Sequence, residues 1–419
     1  MGSKGRHLKL IKAARLVDGT GEPPLERRVV LIDGDTIAAV GDETSVVPPE
    51  GVEVEQLDYG DATILPGLVD CHVHLVGIGD GRVGDELTLL PDEVLTLQAA
   101  RNARAHLFSG VTTVRDCGAK NRTTLMLRQA MDMGVTVGPR MLLSGRPMAI
   151  VGGHLSYFGV QATGPGACRA AVRQLVKEGV DFIKITATGG STRTSFRTRP
   201  SFNPDEIGAI CDEAHKFGKH TVAHCASSQG MVNALNAGID TIVHAVFKEP
   251  DDTNRFRPEI AERLAEQGVF VNPTLHASGR DRIEMLKARE RSEGLTSDEK
   301  ADLDRLRRDD EHLVECFGLM RDAGVTLVCG SDSAWGSYKM GQFQREVEAH
   351  VGAGMSPMEA ITSATGDSAR SCQRDATVGT LEPGKQADVL VVDGDPTANI
   401  DDLSRVADVF QDGQRVDRG

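Results

Sequence analysis

No stretch of 18 or more apolar residues occurs in this 419-residue sequence, so nothing in it reads as a membrane-spanning helix. The start, MGSKGRHLKLIKAARL, is basic but lacks the apolar run of a secretory signal, and Arg6 stands where an N-myristoylation motif needs Ser or Thr. Positive charge is short as well. Forty-seven Lys and Arg against 61 Asp and Glu leave a formal net charge of -14, which excludes the electrostatic footprint of nucleic-acid or anionic-membrane binding. The eight cysteines form no CxxC pair, which removes a zinc knuckle and a dithiol redox motif, and their scatter through apolar runs reads as buried, reduced thiols. Aromatic side chains make up only 4%, so Trp335 and the three tyrosines stand out by rarity. These absences predict a cytoplasmic protein with no nucleic-acid or membrane partner.

What is present is an ordinary globular composition. Hydrophobic residues are 40%, and with 46 glycines the apolar share reaches about half. A chain of this length buries roughly three quarters of its unfolded surface, enough for one large domain with a smaller companion. Short β-like runs separated by Gly and Pro open the chain (LKLIKAARLV, RRVVLIDGDTIAAVG, VEQLDYGDATILPG) and the same texture returns in TVGTLEPGKQADVLVVDGDP and VADVFQDGQRV. A small β-sandwich domain assembled from residues 1–64 and 371–419 is expected, enclosing residues 65–370.

Within the enclosed part, eight β-branched apolar runs alternate with helical stretches. They are 67–75, 111–116, 140–145, 180–190, 219–226, 239–246, 269–275 and 325–333. Eight strand-helix units in about 300 residues predict an α/β class fold, a (β/α)8 TIM-like barrel, with its working site at the C-terminal ends of the strands. The interval between the seventh and eighth runs is long and charged. Residues 276–320 read as two or three helices with a solvated face, or as a lid or subunit contact.

On that strand map His72 and His74 share one side of the first strand, because strand side chains alternate with period two. Lys184 ends the fourth strand, His224 the fifth and His244 the sixth, and Asp332 follows the eighth. A lone histidine on an apolar strand is an ordinary core residue; six such groups at one rim point to a metal site. Lys184 is the most telling, since an ammonium among the isoleucines of DFIKITA carries a large desolvation penalty and burial favours the neutral amine. A neutral amine can add carbon dioxide, and the resulting carbamate can bridge two divalent cations.

ILPGLVDCHVHL, the strand-4 lysine, the single histidines of strands 5 and 6, the late GSDS and the closing LEPGKQADVLVVD together resemble the amidohydrolase superfamily, in its two-metal, carboxylated-lysine form. The resemblance implies that His72, His74 and Asp332 bind one metal, His224 and His244 the other, and Lys184 both. GGH ending at His154, KITATGG and AHC resemble the branch of Xaa-Pro dipeptidases, ochratoxin-type amide hydrolases and phenylurea or thiocarbamate hydrolases. His154 is then implied to reach the substrate and polarise its carbonyl. The basic loop STRTSFRTRPSF departs from the dipeptidase pattern, which argues against a dipeptide; its Arg193, Arg197 and Arg199 read either as binders of a substrate carboxylate or as solvated side chains.

The implied ligand set predicts an enzyme that hydrolyses an amide-type C–N bond (amide, urea or carbamate) in a small molecule. Paired divalent cations, zinc with manganese or cobalt as alternatives, would generate a bridging hydroxide, with Asp332 moving the proton. An Xaa-Pro-type dipeptidase or N-acyl amino acid hydrolase is the alternative, and a lactonase or esterase the second. A mononuclear deaminase needs an acid soon after the strand-5 histidine, where this chain has Cys225, Ala226, Ser227 and Ser228. A metal-free structural relative would have lost ligands, and none of the six is missing. Assembly as a homo-oligomer is expected.

Overall fold

The computed structural model describes residues 8–82, 84–87 and 89–419. The chain begins with five strands, β1 (Leu8–Leu16), β2 (Leu25–Asp33), β3 (Thr36–Asp42), β4 (Val54–Asp58) and β5 (Thr63–Pro66). β2 and β3 form a tight antiparallel hairpin in which Asp33 pairs Thr36, and Gly34 at the first loop position takes φ +64°, the left-handed conformation that a two-residue hairpin needs there.

Then comes the barrel. β6 (Leu68–Val73), β7 (Val111–Asp116) and β8 (Arg140–Leu143) form one parallel sheet. A second, six-stranded sheet contains β9 (Met148–Ala149), β10 (Val160–Gln161), β11 (Ile183–Thr186), β12 (Thr221–Ser227), β13 (Thr241–Lys248) and β14 (Phe270–Asn272), in the order β10-β9-β11-β12-β13-β14. The Asp181 N–H donates to the Leu143 carbonyl at 2.8 Å, and the parallel bridges Val271–Leu327 and Val73–Ser333 close the ring at the eighth position. β6, β7, β11 and β12 are buried at every residue, the signature of parallel strands covered on both faces.

The helices that cover them are α1 (Gly84–Leu87), α2 (Asp92–Phe108), α3 (Thr123–Asp132), α4 (Pro165–Glu178), α5 (Pro204–Lys216), α6 (Ser228–Asn236), α7 (Pro258–Glu266), α8 (Arg280–Ser292), α9 (Ser297–Asp322), α10 (Gln344–Gly352), α11 (Pro357–Ser363) and α12 (Gly366–Ser371). Their ends follow local chemistry: Asn203 and Glu206 form a capping box at the start of α5, with Pro204 at the first position, and α4 stops at Gly179 with φ +92°.

Two details differ from the sequence reading. The eighth run, 325–333, is not a regular strand: Cys329 donates its N–H to the Ser363 carbonyl and to Ser368 Oγ, and Ser331 donates to Asp70, so much of its backbone bonding lies outside a ladder. Lys184, His224 and His244 do not end their strands either, since β11, β12 and β13 run two to four residues further.

The last strands, β15 (Val389–Val392), β16 (Val406–Gln411) and β17 (Gln414–Arg415), return to the first sheet, where β15 pairs antiparallel with β5. The resulting mixed sheet runs β17-β16-β15-β5-β1-β2-β3, with β4 beside β1. Ile11, Val30 and Ile64 share a core with Val389, Val391 and Phe410, so the terminal unit needs both ends of the chain. Inside the barrel Val69, Cys71, Leu142, Phe182, Val222 and Val243 pack with Ala369 and Cys372, and the buried Arg115 guanidinium donates to the carbonyls of Cys71 (2.7 Å) and Ser371 (2.8 Å). All eight cysteines are buried and free. Among the described residues no helix is long and apolar enough to cross a membrane.

Candidate metal centre

The strand register brings the six sequence-derived residues to one rim. Thr186 of β11 is level with His224, and Cys225 of β12 is level with His244. His72, His74 and Asp332 each offer a ligand atom within 4.8 Å of the others. Asp332 Oδ1 lies 3.4 Å from His72 Nε2 and 3.5 Å from His74 Nε2, while its Oδ2 lies 3.9 Å from His244 Nε2. Lys184 Nζ is 3.3 Å from His72 Nε2. The rings of His224 and His244 are 4.5 Å apart between centroids, and His154 is 4.4 Å from His224.

The partners of the far ring nitrogens decide which lone pairs are free. His74 Nδ1 donates to the Gly118 carbonyl (2.9 Å) and His72 Nδ1 to Asn272 Oδ1 (3.1 Å), an amide oriented by its own bonds to the carbonyls of Val328 and Gly330. His244 Nδ1 donates to Thr274 Oγ1 at 2.7 Å, and that hydroxyl in turn donates to the Pro273 carbonyl at 2.7 Å. His224 is reversed: its Nε2 donates to the Gly189 carbonyl at 3.1 Å, leaving the Nδ1 lone pair. Acceptors thus fix the tautomer of all four imidazoles as metal centres require.

Burial reinforces this, because desolvation first, and crowding by the other imidazoles and Lys184 second, hold His72, His154, His224 and His244 well below the usual histidine range, and His74 down to about 3. Neutral imidazole is the metal-binding form. Burial pushes the Asp332 carboxyl up to about 7, against the opposing pull of Lys184. An acidic oxygen costly to hold in its charged form beside neutral imidazole lone pairs is a donor set that fits a divalent cation.

Backbone strain collects at the same rim. His244 (φ +74°), Ala245 (+49°), Thr274 (+52°) and Asp332 (+51°) are all left-handed, and a β-branched residue such as Thr274 adopts that conformation only when held there. The holders are buried carboxylates. Glu346 on α10 accepts from the N–H groups of Leu275 and His276, each at 2.7 Å, which fixes the turn carrying Thr274. Asp70 accepts from the N–H groups of His72 (3.1 Å) and Ser331 (2.9 Å), from Ser331 Oγ (2.5 Å) and from His106 Nε2 (2.9 Å), tying the first strand to the turn before Asp332.

His72, His74, Lys184, His224, His244 and Asp332 line a cavity of about 460 Å3, the size of a small-molecule site. Its aromatic wall is Tyr157 and Trp335, the latter 5.0 Å from His74 and stacked on Phe158 at 11°. Arg305, Leu306, Asp309 and Leu313, all on α9, line the cavity as well. The charged 276–320 segment is therefore two helices with their own apolar core (Ile283, Leu286, Leu303, Leu306), and α9 is joined to β13 by His312 Nε2 donating to the Val246 carbonyl at 2.9 Å. His154 lines the cavity with its Nδ1 3.1 Å from Thr192 Oγ1. Of the three loop arginines only Arg197 reaches the cavity; Arg199 lies over the Phe196 ring at 5.4 Å. Sequence reasoning missed Thr274, Asp70, Glu346, Tyr157 and the α9 wall. Asp70 alone carried a signal, two residues before His72.

A profile of the amidohydrolase family matches residues 63–416. The chain belongs to the amidohydrolase family. As an amidohydrolase it is a metal-dependent enzyme acting on carbon–nitrogen bonds. It is 29% identical to ochratoxinase from Aspergillus niger over 420 aligned residues, covering 93% of this chain and 82% of that relative. A solved Xaa-Pro dipeptidase with methionine in its active site superposes with a TM-score of 0.82 at 28% identity, covering 98% of this amidohydrolase and 100% of that chain. Phenylurea hydrolase B shares the fold at 22% identity, with a TM-score of 0.81 over 98% and 97% of the two chains.

Proposed function

We propose that this amidohydrolase hydrolyses the C–N bond of an amide, urea or carbamate in a small molecule, from a site in which His72, His74 and Asp332 would hold one divalent cation, His224 and His244 a second, and a Lys184 carbamate both. The observation that carries the reading is the convergence of Asp332, the Nε2 atoms of His72, His74 and His244, the His224 ring and Lys184 on one rim. Zinc suits the donor set best, with manganese or cobalt as alternatives. Bound there, such cations supply Lewis acidity towards a scissile carbonyl and lower the pKa of water.

The chain's own residues do the rest. Asp332, between His72, His74 and His244, accepts the proton of the attacking water and delivers it to the leaving nitrogen. His154, oriented by Thr192 and packed against His224, supports the substrate carbonyl. Residues 1–64 and 371–419 act as one β-domain that braces the barrel of residues 65–370.

Lys184→Ala tests the reading. It removes the bridging group but leaves room for a small carboxylate, so the variant is expected to hold little metal and to be inactive, with partial recovery in formate, acetate or propionate plus metal. Wild-type protein purified without chelator should contain close to two divalent ions per chain by elemental analysis. Full activity of Lys184→Ala without added acid would overturn the two-metal arrangement.

A further inference from the structure

Glu346 on α10 holds the strained turn after β14, yet it has no exposure to solvent. Its Oε1 accepts from the Leu275 N–H and its Oε2 from the His276 N–H, each at 2.7 Å, the short end of the N–H···O range and the mark of a charged acceptor. A buried carboxylate needs a counter-charge. Among the described residues no Lys or Arg lies within ion-pair distance of Glu346, and the groups its field reaches, Tyr338, Cys329 and Asp332, are acids themselves. The basic side chain beside it is His350, one turn further along α10 and equally buried, with Nε2 3.5 Å from Glu346 Oε1.

The hydrogens around His350 can be placed one by one. Ser363 of α11 has a single hydroxyl hydrogen, which it donates to the Ala360 carbonyl at 2.7 Å. Towards His350 Nδ1, 3.2 Å away, Ser363 Oγ can therefore only accept, and that puts a hydrogen on Nδ1. In a neutral ring Nε2 would then be a bare lone pair facing a carboxylate, and this buried nitrogen has no other partner. Two acceptors turned towards each other in a closed core carry the full desolvation penalty. A hydrogen on Nε2 as well removes the conflict and makes the ring an imidazolium aimed at Glu346. Its surroundings suit a cation: His350 lies in the last turn of α10, where the helix dipole is negative, and the Phe317 ring of α9 packs against it at 5.0 Å and 63°.

We propose that His350 is a positioning residue of the metal centre: as an imidazolium it keeps Glu346 ionised, and through Glu346 it holds the turn on which Thr274 fixes the tautomer of His244. The link to catalysis rests on the reading of His244 as a metal ligand. His350 does not line the cavity, so it acts only through Glu346.

The charge is read directly from proton–nitrogen correlation spectra of protein carrying isotope-labelled histidine, in zinc-loaded and metal-free samples. The His350 signals are assigned by their loss in His350→Gln, with His350→Asn as the second variant if the first does not fold. Both ring nitrogens of His350 are expected to carry hydrogen at neutral pH. The positioning role is read from metal retention. His350→Gln keeps a donor for Glu346 but removes the charge, so a chelator should strip metal about tenfold faster or more, the usual scale for losing a group behind a ligand. Glu346→Gln should do the same, and the double variant should be no worse than the worse single one, because both act through one pair. A His350 with one bare ring nitrogen, wild-type metal retention in His350→Gln, or losses that add in full in the double variant would overturn the proposal. Failure of the underlying reading looks different: protein that takes up no metal but still shows a doubly protonated His350 would keep the ion pair and remove its link to His244.

Discussion

At the scale of single residues, the site depends on carboxylates that have different tasks. Asp332 faces three imidazoles, whereas Asp70 and Glu346 face backbone N–H groups and hold the turns that aim those imidazoles. Asp332→Asn should keep the fold and lower turnover by roughly a hundredfold to ten-thousandfold, the usual range for lost acid–base catalysis, as measured by steady-state kinetics with metal content verified. Asp70→Asn should act differently. It replaces an oxygen that accepts from Ser331 Oγ and His106 by an amide donor, in a place with no exposure, so a stability loss of about 3 kcal/mol in urea titration is expected, with weakened metal binding. The gathering of HVH and the histidines of strands 5 and 6 at one rim was legible in the sequence, because strand order and side-chain alternation are local patterns and it is the group, not any single histidine, that points to a metal. Glu346 was not, because its role exists only through contact with residues some 70 positions earlier.

At the scale of elements, the strained turn after β14 and the α8–α9 hairpin are the parts where small changes should travel to the site. Glu346→Gln retains one acceptor but sets an amide donor against an N–H, which frees the Thr274 turn. His244 then loses its fixed tautomer, and competition with a chelator should strip metal faster than from wild type, with a lowered melting temperature from the buried donor-donor contact. Leu286→Ala removes a fully buried side chain from the small core shared with Leu306, a residue of the cavity wall. A local cost of about 3 kcal/mol is expected, read as faster hydrogen exchange confined to α8 and α9, together with a KM that rises more than kcat falls. The charge pattern led to an expectation of two or three helices here, and two form. That one of their faces is a pocket wall did not, since a cavity-lining face and a solvated face carry the same polar residues.

At the scale of the whole molecule, the two ends of the chain are interdependent. β15 is fully buried against β5, and Arg140 of the barrel pairs with Asp388 (2.6 Å) and Asp412 (2.5 Å) near the C-terminus. Deleting residues 386–419 should therefore abolish folding of the first sheet as well, seen as loss of a cooperative unfolding transition. The proposed homo-oligomer would be expected to cover some of the exposed apolar side chains, among them Leu97, Met133 and Val135, each exposed by 71% or 72%; light scattering checks it, and a monomer at all concentrations would refute it. The sequence by itself determined the alternation that makes a barrel, the terminal strands that enclose it, and six of the groups at its rim, because hydrophobic period and residue chemistry are local properties. Only the tertiary structure decided which lone pair each histidine presents, which of three neighbouring arginines faces the cavity, and which acids hold the strained turns. Those are relations between side chains far apart in the chain, set by strand register and packing.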